Sequence, residues 1–364
     1  MSVGSTISLA TDRLTAPVEG MHRAISARWF AALGPVGAPV RVVHDAVSTI
    51  VYQSVRFGAS AVGAFVDARA GSASQTAHSA QAIVNGIWGD TLGRHEERLG
   101  ISLSIRDPHG HAVASDRGLA TAFPTPTGKL VVLVHGLFET EQCWEDPAAG
   151  GGLGRAIDEH HELTKVAVRY NSGLPVSESG YQLAGLLESL THGWPVPLES
   201  IALVGHSMGG LVIRAAVAAA DRDGLGWLQR LDDLITVAAP HQGAPMEKLV
   251  NATSWALGIA PETRPLADFL EGRSGGIKDL RYGVEAELTP GVRHHFLAGV
   301  VTSDPEHLIG AALGDLVVTT ASASDAGGEK PTTVVALGGS NHFAFLDDPR
   351  VIGQVMKWLE SRGT

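Results

Sequence analysis

Ser207 stands between glycines in Gly205-His206-Ser207-Met208-Gly209-Gly210, directly after the apolar, β-rich run 200–204 and directly before a helix-forming run, 211–220. A serine at such a strand-to-helix junction can occupy a sharp, strained turn that lifts its hydroxyl above the sheet edge, because the flanking glycines let the backbone pack closely. The helix that begins there aims its unpaired N–H groups and its positive dipole end at any anion forming beside the serine. That geometry suits a nucleophile. A hydroxyl is a weak one, so the chain must also supply a base, an acid to orient that base, and two backbone donors for an oxyanion. The Met208 N–H, at the helix start, is the first of those donors.

Sixteen histidines compete for the base. His342, in Gly338-Gly339-Ser340-Asn341-His342-Phe343, directly follows the last predicted strand and precedes the last predicted helix. That puts it at the carboxyl edge of a parallel sheet, the edge where Ser207 also emerges. His206 adjoins the serine, but its side chain should point away, which suits a structural role. Two carboxylates could orient His342. Asp304 closely follows the strand at 292–301, and Asp315 lies between that strand and the last one.

The elements that must hold these groups follow from periodicity. A continuous apolar run at 129–134 reads as a buried parallel strand, and 165–170, 200–206, 234–239, 292–301 and 332–337 read as further strands. Helical patterns near 153–160, and at 178–190, 208–220 and 347–361, fall between and after them. This alternation predicts a doubly wound, mostly parallel α/β sheet covered on both faces. Residues 99–106 and 111–115 predict a hairpin around Asp107-Pro108-His109-Gly110. Between 246 and 290 the pattern breaks into mixed segments, helix-like at 247–257 and 265–271, and reads as an insertion.

Residues 1–98 differ in texture. Helical spacing at 23–33, 40–70 and 74–88 predicts a helical N-terminal extension without any charge constellation resembling a site, set before a main domain at 99–364. Its near-neutral apolar helices, over 17–90, suggest weak contact with a membrane surface as a minor role.

Composition narrows the classes. A chain of 364 residues with 44% hydrophobic and 18% charged residues is globular with a substantial core. The net charge of −11, with no basic cluster, argues against nucleic acid. Cys143 is the only cysteine, so no intramolecular disulfide forms, which is compatible with a reducing compartment. Neither a secretory signal nor a transmembrane run is expected, since Arg41, Asp45, Arg56 and Asp67 interrupt the best candidate, and the cytoplasm is the default expectation. No metal is expected. The His160-His161 and His294-His295 pairs are adjacent, which on a strand sends them to opposite faces. No cofactor is expected either, because neither Gly-x-Gly-x-x-Gly nor a Walker Lys-Ser/Thr pair occurs.

Taken together, the motifs resemble the α/β-hydrolase superfamily, in its lipase- and esterase-like branch, over roughly residues 129–361. The chain order Ser207, Asp315, His342 is the one that fold prescribes. The resemblance favours Asp315 as the acid, because Gly314-Asp315-Leu316-Val317-Val318 with the following 319–323 is similar to the family's Gly-Asp-Gly-Val-Val type of segment, Leu316 replacing a glycine. Asp304 remains the alternative. His135-Gly136-Leu137-Phe138 resembles the lipase His-Gly motif and implies Leu137 N–H as the second oxyanion donor, with Phe138 next in line. His135 itself is expected to be structural. Ala239-Pro240-His241-Gln242-Gly243-Ala244-Pro245 is similar to a Thr-Pro-His-x-Gly-Ser-Pro segment of many lipases, which leaves His241 either shaping its loop or lining an acyl pocket. The insertion at 246–290 falls where the superfamily carries a cap or lid, so that Trp255 and Phe269, with Phe138, become pocket candidates. The activity implied is hydrolysis of carboxylic esters of small-molecule or lipid-like substrates. Acyl transfer to an alcohol, or cleavage of a thioester or amide, would use the same triad. A catalytically idle, hydrolase-like binding module is the alternative from another class.

Overall fold

The structure, a computed structural model, describes residues 11, 15, 18–19, 22–23, 25–34, 38–68, 82, 85–86, 89–90, 101–114, 118–145, 152–243, 274–283, 288–300, 302–304, 315, 318–324, 331–339 and 345–361. It divides into two compact units, Met1–Val84 and Asn85–Thr364.

Within the first unit, residues 25–33 are helical up to Gly34, whose φ of 59° ends the run. A second helix, α1 (Ala38–Ala68), spans 31 residues. The Glu19 carboxylate bridges Arg23 and Arg56 at 2.6 Å each. Trp29, Leu33 and Phe57 are exposed. Among the described residues no helix is long and apolar enough to cross a membrane.

The second unit is an eight-stranded sheet. At one edge β1 (Ser104–Arg106) and β2 (Ala112–Val113) form an antiparallel hairpin. Asp107 Oδ1 closes its turn by accepting the N–H groups of His109 and His111 at 2.9 and 2.8 Å. The strands β3 (Lys129–Val134), β4 (Leu163–Arg169), β5 (Ser200–His206), β6 (Leu231–Val237), β7 (Arg293–Val300) and β8 (Thr333–Gly338) run parallel in the order β2-β1-β4-β3-β5-β6-β7-β8. Only the pairing of β1 with β4 joins the hairpin to them, and it is antiparallel.

The helices are α2 (Leu119–Ala122), α3 (Leu153–Asp158), α4 (Val176–Gly193), α5 (Met208–Asp223), α6 (Gly275–Asp279), α7 (Thr320–Ser324) and α8 (Pro349–Glu360). On one face of the sheet Leu130, Val132, Ile201 and Leu203 pack with Leu183 and Leu187 of α4 and Leu211 of α5. On the other, Val131, Leu133, Ala202 and Val204 pack with Ile157 of α3 and Val355 and Trp358 of α8. Burial of both faces explains why β3 and β5 read as unbroken apolar runs instead of alternating ones. The close approach of α4 to α5 depends on Gly180, where a Cβ would lie 2.5 Å from Ala215 Cβ.

The expected strands form with shifted ends, as do the helices expected near 153–160 and at 178–190, 208–220 and 347–361, while most of the helix expected at 74–88 lies outside the described residues. β6 starts at Leu231 instead of 234 because Asp233, a residue that masks a strand in the sequence, is fully buried and paired with Arg293 and His295. The segment 319–323, which follows the Asp315 motif, overlaps α7. The helix-like stretches 247–257 and 265–271 lie outside the described residues. Part of the insertion is described: α6, whose N-cap Ser274 accepts the Ile277 N–H.

Candidate active site

The strand β5 ends in a turn that no ordinary residue adopts freely. Ser207 has φ 50° and ψ −120°, a backbone conformation costing on the order of 1–3 kcal/mol. The turn persists because its surroundings dictate it. The Ser207 N–H donates to Val237 O at 2.8 Å. A Cβ on Gly205 would lie 2.6 Å from the Gly209 carbonyl carbon, one on Gly209 would overlap Val134 O, and one on Gly210 would lie 2.5 Å from Ala239 Cβ. The first turn of α5 is thus pressed onto the end of β3, a contact only glycine allows.

Register brings the next loop to the same place, since Val134 pairs with Gly205. His135, fully buried, stacks on Tyr170 with ring centroids 4.5 Å apart. Its Nδ1 lies 2.8 Å from Gly136 O, and its Nε2 accepts the Tyr170 N–H at 3.3 Å, which assigns the proton to Nδ1. Burial lowers the pKa of this ring, and both of its nitrogens are spent on the fold. The Phe138 N–H is also spent, donating to Ser172 Oγ at 3.3 Å. Among the described residues no acceptor takes the Leu137 N–H. Met208, the first residue of α5, has no intrahelical acceptor for its N–H by construction.

The two candidate acids differ sharply. Asp315 is 1% exposed. Its Oδ1 accepts the Val318 N–H at 2.8 Å, and its own N–H donates to Val318 O at 3.1 Å. It packs against the end of β7, where a Cβ on Gly299 would lie 3.1 Å from Asp315 Cβ and 3.3 Å from the Phe345 ring. Asp304 is exposed, and its carbonyl accepts the Thr302 hydroxyl at 2.7 Å. His342 lies outside the described residues, as do Trp255 and Phe269. The described residues on either side of His342 are both anchored. Gly339 N–H lies 2.8 Å from Val300 O, and Phe345 is fully buried beside Asp315.

His241 lies beneath the site. Its Nδ1 accepts from Arg214 at 3.1 Å, its Nε2 lies 3.0 Å from Thr236 Oγ1, and its ring stacks on Phe296. Burial and the Arg214 charge hold its pKa well below the usual histidine value, so it stays neutral and braces the loop after β6. A second Asp–His–hydroxyl row runs from Asp233 through His295 to Thr333, at 3.0 and 2.6 Å. These residues sit at the opposite edge of the sheet, beside the starts of β6, β7 and β8; Asp233 and His295 are buried, and the His295 ring stacks on Trp358. That row is structural.

Sequence reasoning missed Glu139. Its Oε2 accepts the Gly136 N–H at 2.7 Å and lies 3.0 Å from His206 Nδ1, tying the loop after β3 to the residue before Ser207. Burial alone would raise the carboxyl pKa. The His206 ring, with help from the Gly136 N–H and His135, more than reverses this and lowers it from 4.5 to about 2. A folded-state pKa below the ordinary one contributes stability that is present above about pH 4.5 and is lost as pH falls toward 2. Glu139→Gln is therefore expected to be less stable than the parent at pH 7, with the gap closing between pH 4.5 and 2. Urea midpoints across that range would measure it, and parallel curves would refute the assignment.

Comparison with known proteins bears on the family. Residues 153–255 match the family model described as the PGAP1-like alpha/beta domain. With six parallel strands and a strained serine between β5 and the following helix, the architecture is settled. The chain has the α/β-hydrolase fold. Solved structures with a similar hydrolase fold include a Bacillus licheniformis lipase in its mature form, 18% identical over 71% of this chain and 99% of that one, with a TM-score of 0.46. A Staphylococcus hyicus lipase is 15% identical over 66% and 98%, with a TM-score of 0.41. The RedJ thioesterase of the prodiginine pathway in Streptomyces coelicolor is 16% identical over 65% and 91%, with a TM-score of 0.38. No curated protein matches this α/β-hydrolase chain.

Proposed function

We propose that the chain is a serine hydrolase of carboxylic esters. The observation that carries this is the left-handed, strained backbone of Ser207 at the head of α5. Ser207 Oγ attacks the acyl carbonyl and His342 takes its proton. The tetrahedral oxyanion is met by the N–H groups of Leu137 and Met208. As the C–O bond breaks, His342 returns the proton to the leaving alcohol, and an acyl group remains on Ser207. Water, deprotonated by His342, then releases the acid and regenerates the serine. Asp315 holds the His342 ring in the tautomer that presents Nε2 to the serine.

Two further facts support the reading. Among the described residues no acceptor takes the Leu137 N–H, and the Met208 N–H has no intrahelical acceptor, which leaves both able to serve an oxyanion. Asp315 is buried with one carboxylate oxygen bonded to Val318 N–H, which fixes the plane in which the carboxylate meets a histidine. The test is covalent labelling of the full chain with a fluorophosphonate, followed by peptide mapping, alongside p-nitrophenyl esters of graded acyl length. The label is expected on Ser207 and turnover is expected to cease with labelling. A label elsewhere, or unchanged turnover after complete labelling, refutes the proposal.

A further inference from the structure

The helical residues Asn85, Gly86, Gly89 and Asp90 form a turn stitched to four segments of its own unit, three of them bordering the candidate site. Gly86 lies flat under Phe138, where a Cβ would overlap the ring carbons Cδ1 and Cε1. The Gly86 carbonyl accepts Ser274 Oγ at 2.5 Å, and Asp90 Oδ2 accepts the Gly275 N–H at 3.1 Å, so the turn also holds the start of α6. Its third attachment is the loop between β4 and α4. Asn171 Nδ2 donates to Gly89 O at 3.1 Å, and a Cβ on Gly89 would overlap Asn171 Oδ1. A Cβ on Gly173 would overlap Asn85 O. The same loop carries Ser172, whose hydroxyl holds the Phe138 N–H. Finally, Asn85 Oδ1 accepts the Ile101 N–H at 2.9 Å, fixing the turn to the segment that leads into β1.

Phe138 is the point where these attachments matter. It has φ 65°, a conformation bulky residues avoid, and its ring is 38% exposed. A strained, half-open residue keeps its conformation only when its neighbours dictate it. Here they are Ser172, on the N–H, and Gly86, against the ring. The peptide between Leu137 and Phe138 adjoins the one that carries the Leu137 N–H, so whatever turns Phe138 also turns that donor.

We infer that the 85–90 turn is a positioning element of the acyl site, setting the Leu137 N–H through Phe138 and joining the oxyanion loop to α6 at the end of the insertion. The inference rests on the ester-hydrolase reading, with Leu137 as donor. Gly86 is a positioning residue that touches no substrate. Gly89 and Gly173 allow the close seating on which its position depends.

The test is a double-mutant cycle in the full chain. Gly86→Ala drives its methyl into the ring of Phe138, a partly exposed residue, so the loop at 137–138 is displaced while the melting temperature is expected to stay close to the parent's. The kcat for a p-nitrophenyl ester is expected to fall about tenfold or more, with KM little changed, because a displaced oxyanion donor is lost in the transition state. Phe138→Gly removes the ring and suits the positive φ. In that background Gly86→Ala is expected to cost nothing further. Hydrogen exchange at residues 136–138 is expected to rise in Gly86→Ala and supplies a readout independent of turnover. An unchanged kcat in Gly86→Ala, or an equal loss with and without the Phe138 ring, overturns the inference while leaving the hydrolase reading intact. A parent chain that releases no product and takes no label overturns that reading, and the inference with it.

Discussion

Ser207→Ala is expected to lower kcat for ester hydrolysis roughly 10⁶-fold, as removal of a nucleophile from a triad does elsewhere. KM should change little, since the alanine leaves the oxyanion loop and the glycine contacts of the turn in place. Ser207→Gly separates this chemical loss from the strain of the turn. Glycine adopts φ 50° without penalty, so this variant is expected to be as inactive as Ser207→Ala and more stable than the parent by about 1–3 kcal/mol. Urea unfolding beside product release checks both halves. An active Ser207→Ala would end the mechanism. A Ser207→Gly variant no more stable than the parent would show that the turn stores no strain.

Asp315→Asn is expected to cost about 10⁴-fold in kcat, because an amide favours the wrong histidine tautomer. Asp304→Asn should stay within about twofold of the parent, as exposed substitutions away from a buried network usually do. The contrast follows from placement. Asp315 is 1% exposed and bonded to Val318 N–H, while Asp304 is exposed. The expectation is specific because the two carboxylates exchange roles if it fails. A large loss in Asp304→Asn with a small one in Asp315→Asn would reassign the acid.

Much of this architecture is legible in the chain, and the legible part has one cause. Strands β3 and β5 are covered on both faces, so nearly every residue in them must be apolar, and such runs are conspicuous. The Ser207 turn is marked by glycines because Gly205, Gly209 and Gly210 each stand where a Cβ would collide. Polar contacts between distant segments leave no such trace. Glu139 meets His206 across 67 residues, and Ser274 meets Gly86 across 188, with no period or spacing to announce either. Spacing likewise does not separate Asp304 from Asp315, since both follow β7; the two differ in burial, which no spacing announces. The start of β6 was hidden for a related reason. A buried acid looks like a loop residue until its partners, Arg293 and His295, are beside it.

The seating of α5 on β3 has a consequence for the time course of folding. The backbone of Ser207 is held from a distance as well as by its own first turn: Val134 O lies against Gly209 and Val237 O accepts the Ser207 N–H. Those partners arrive through parallel pairing of β3, β5 and β6, in which Lys129 is matched to Ser200 and His206 to Val237. Pairings of such long sequence separation carry a high loop-closure cost and form slowly. The helix of α5 can nucleate early from its own sequence, but the bend at its head must wait for the central strands. The strained turn at Ser207 is therefore a late event on the folding route, belonging to the finished sheet and not to the six-residue motif that signals it.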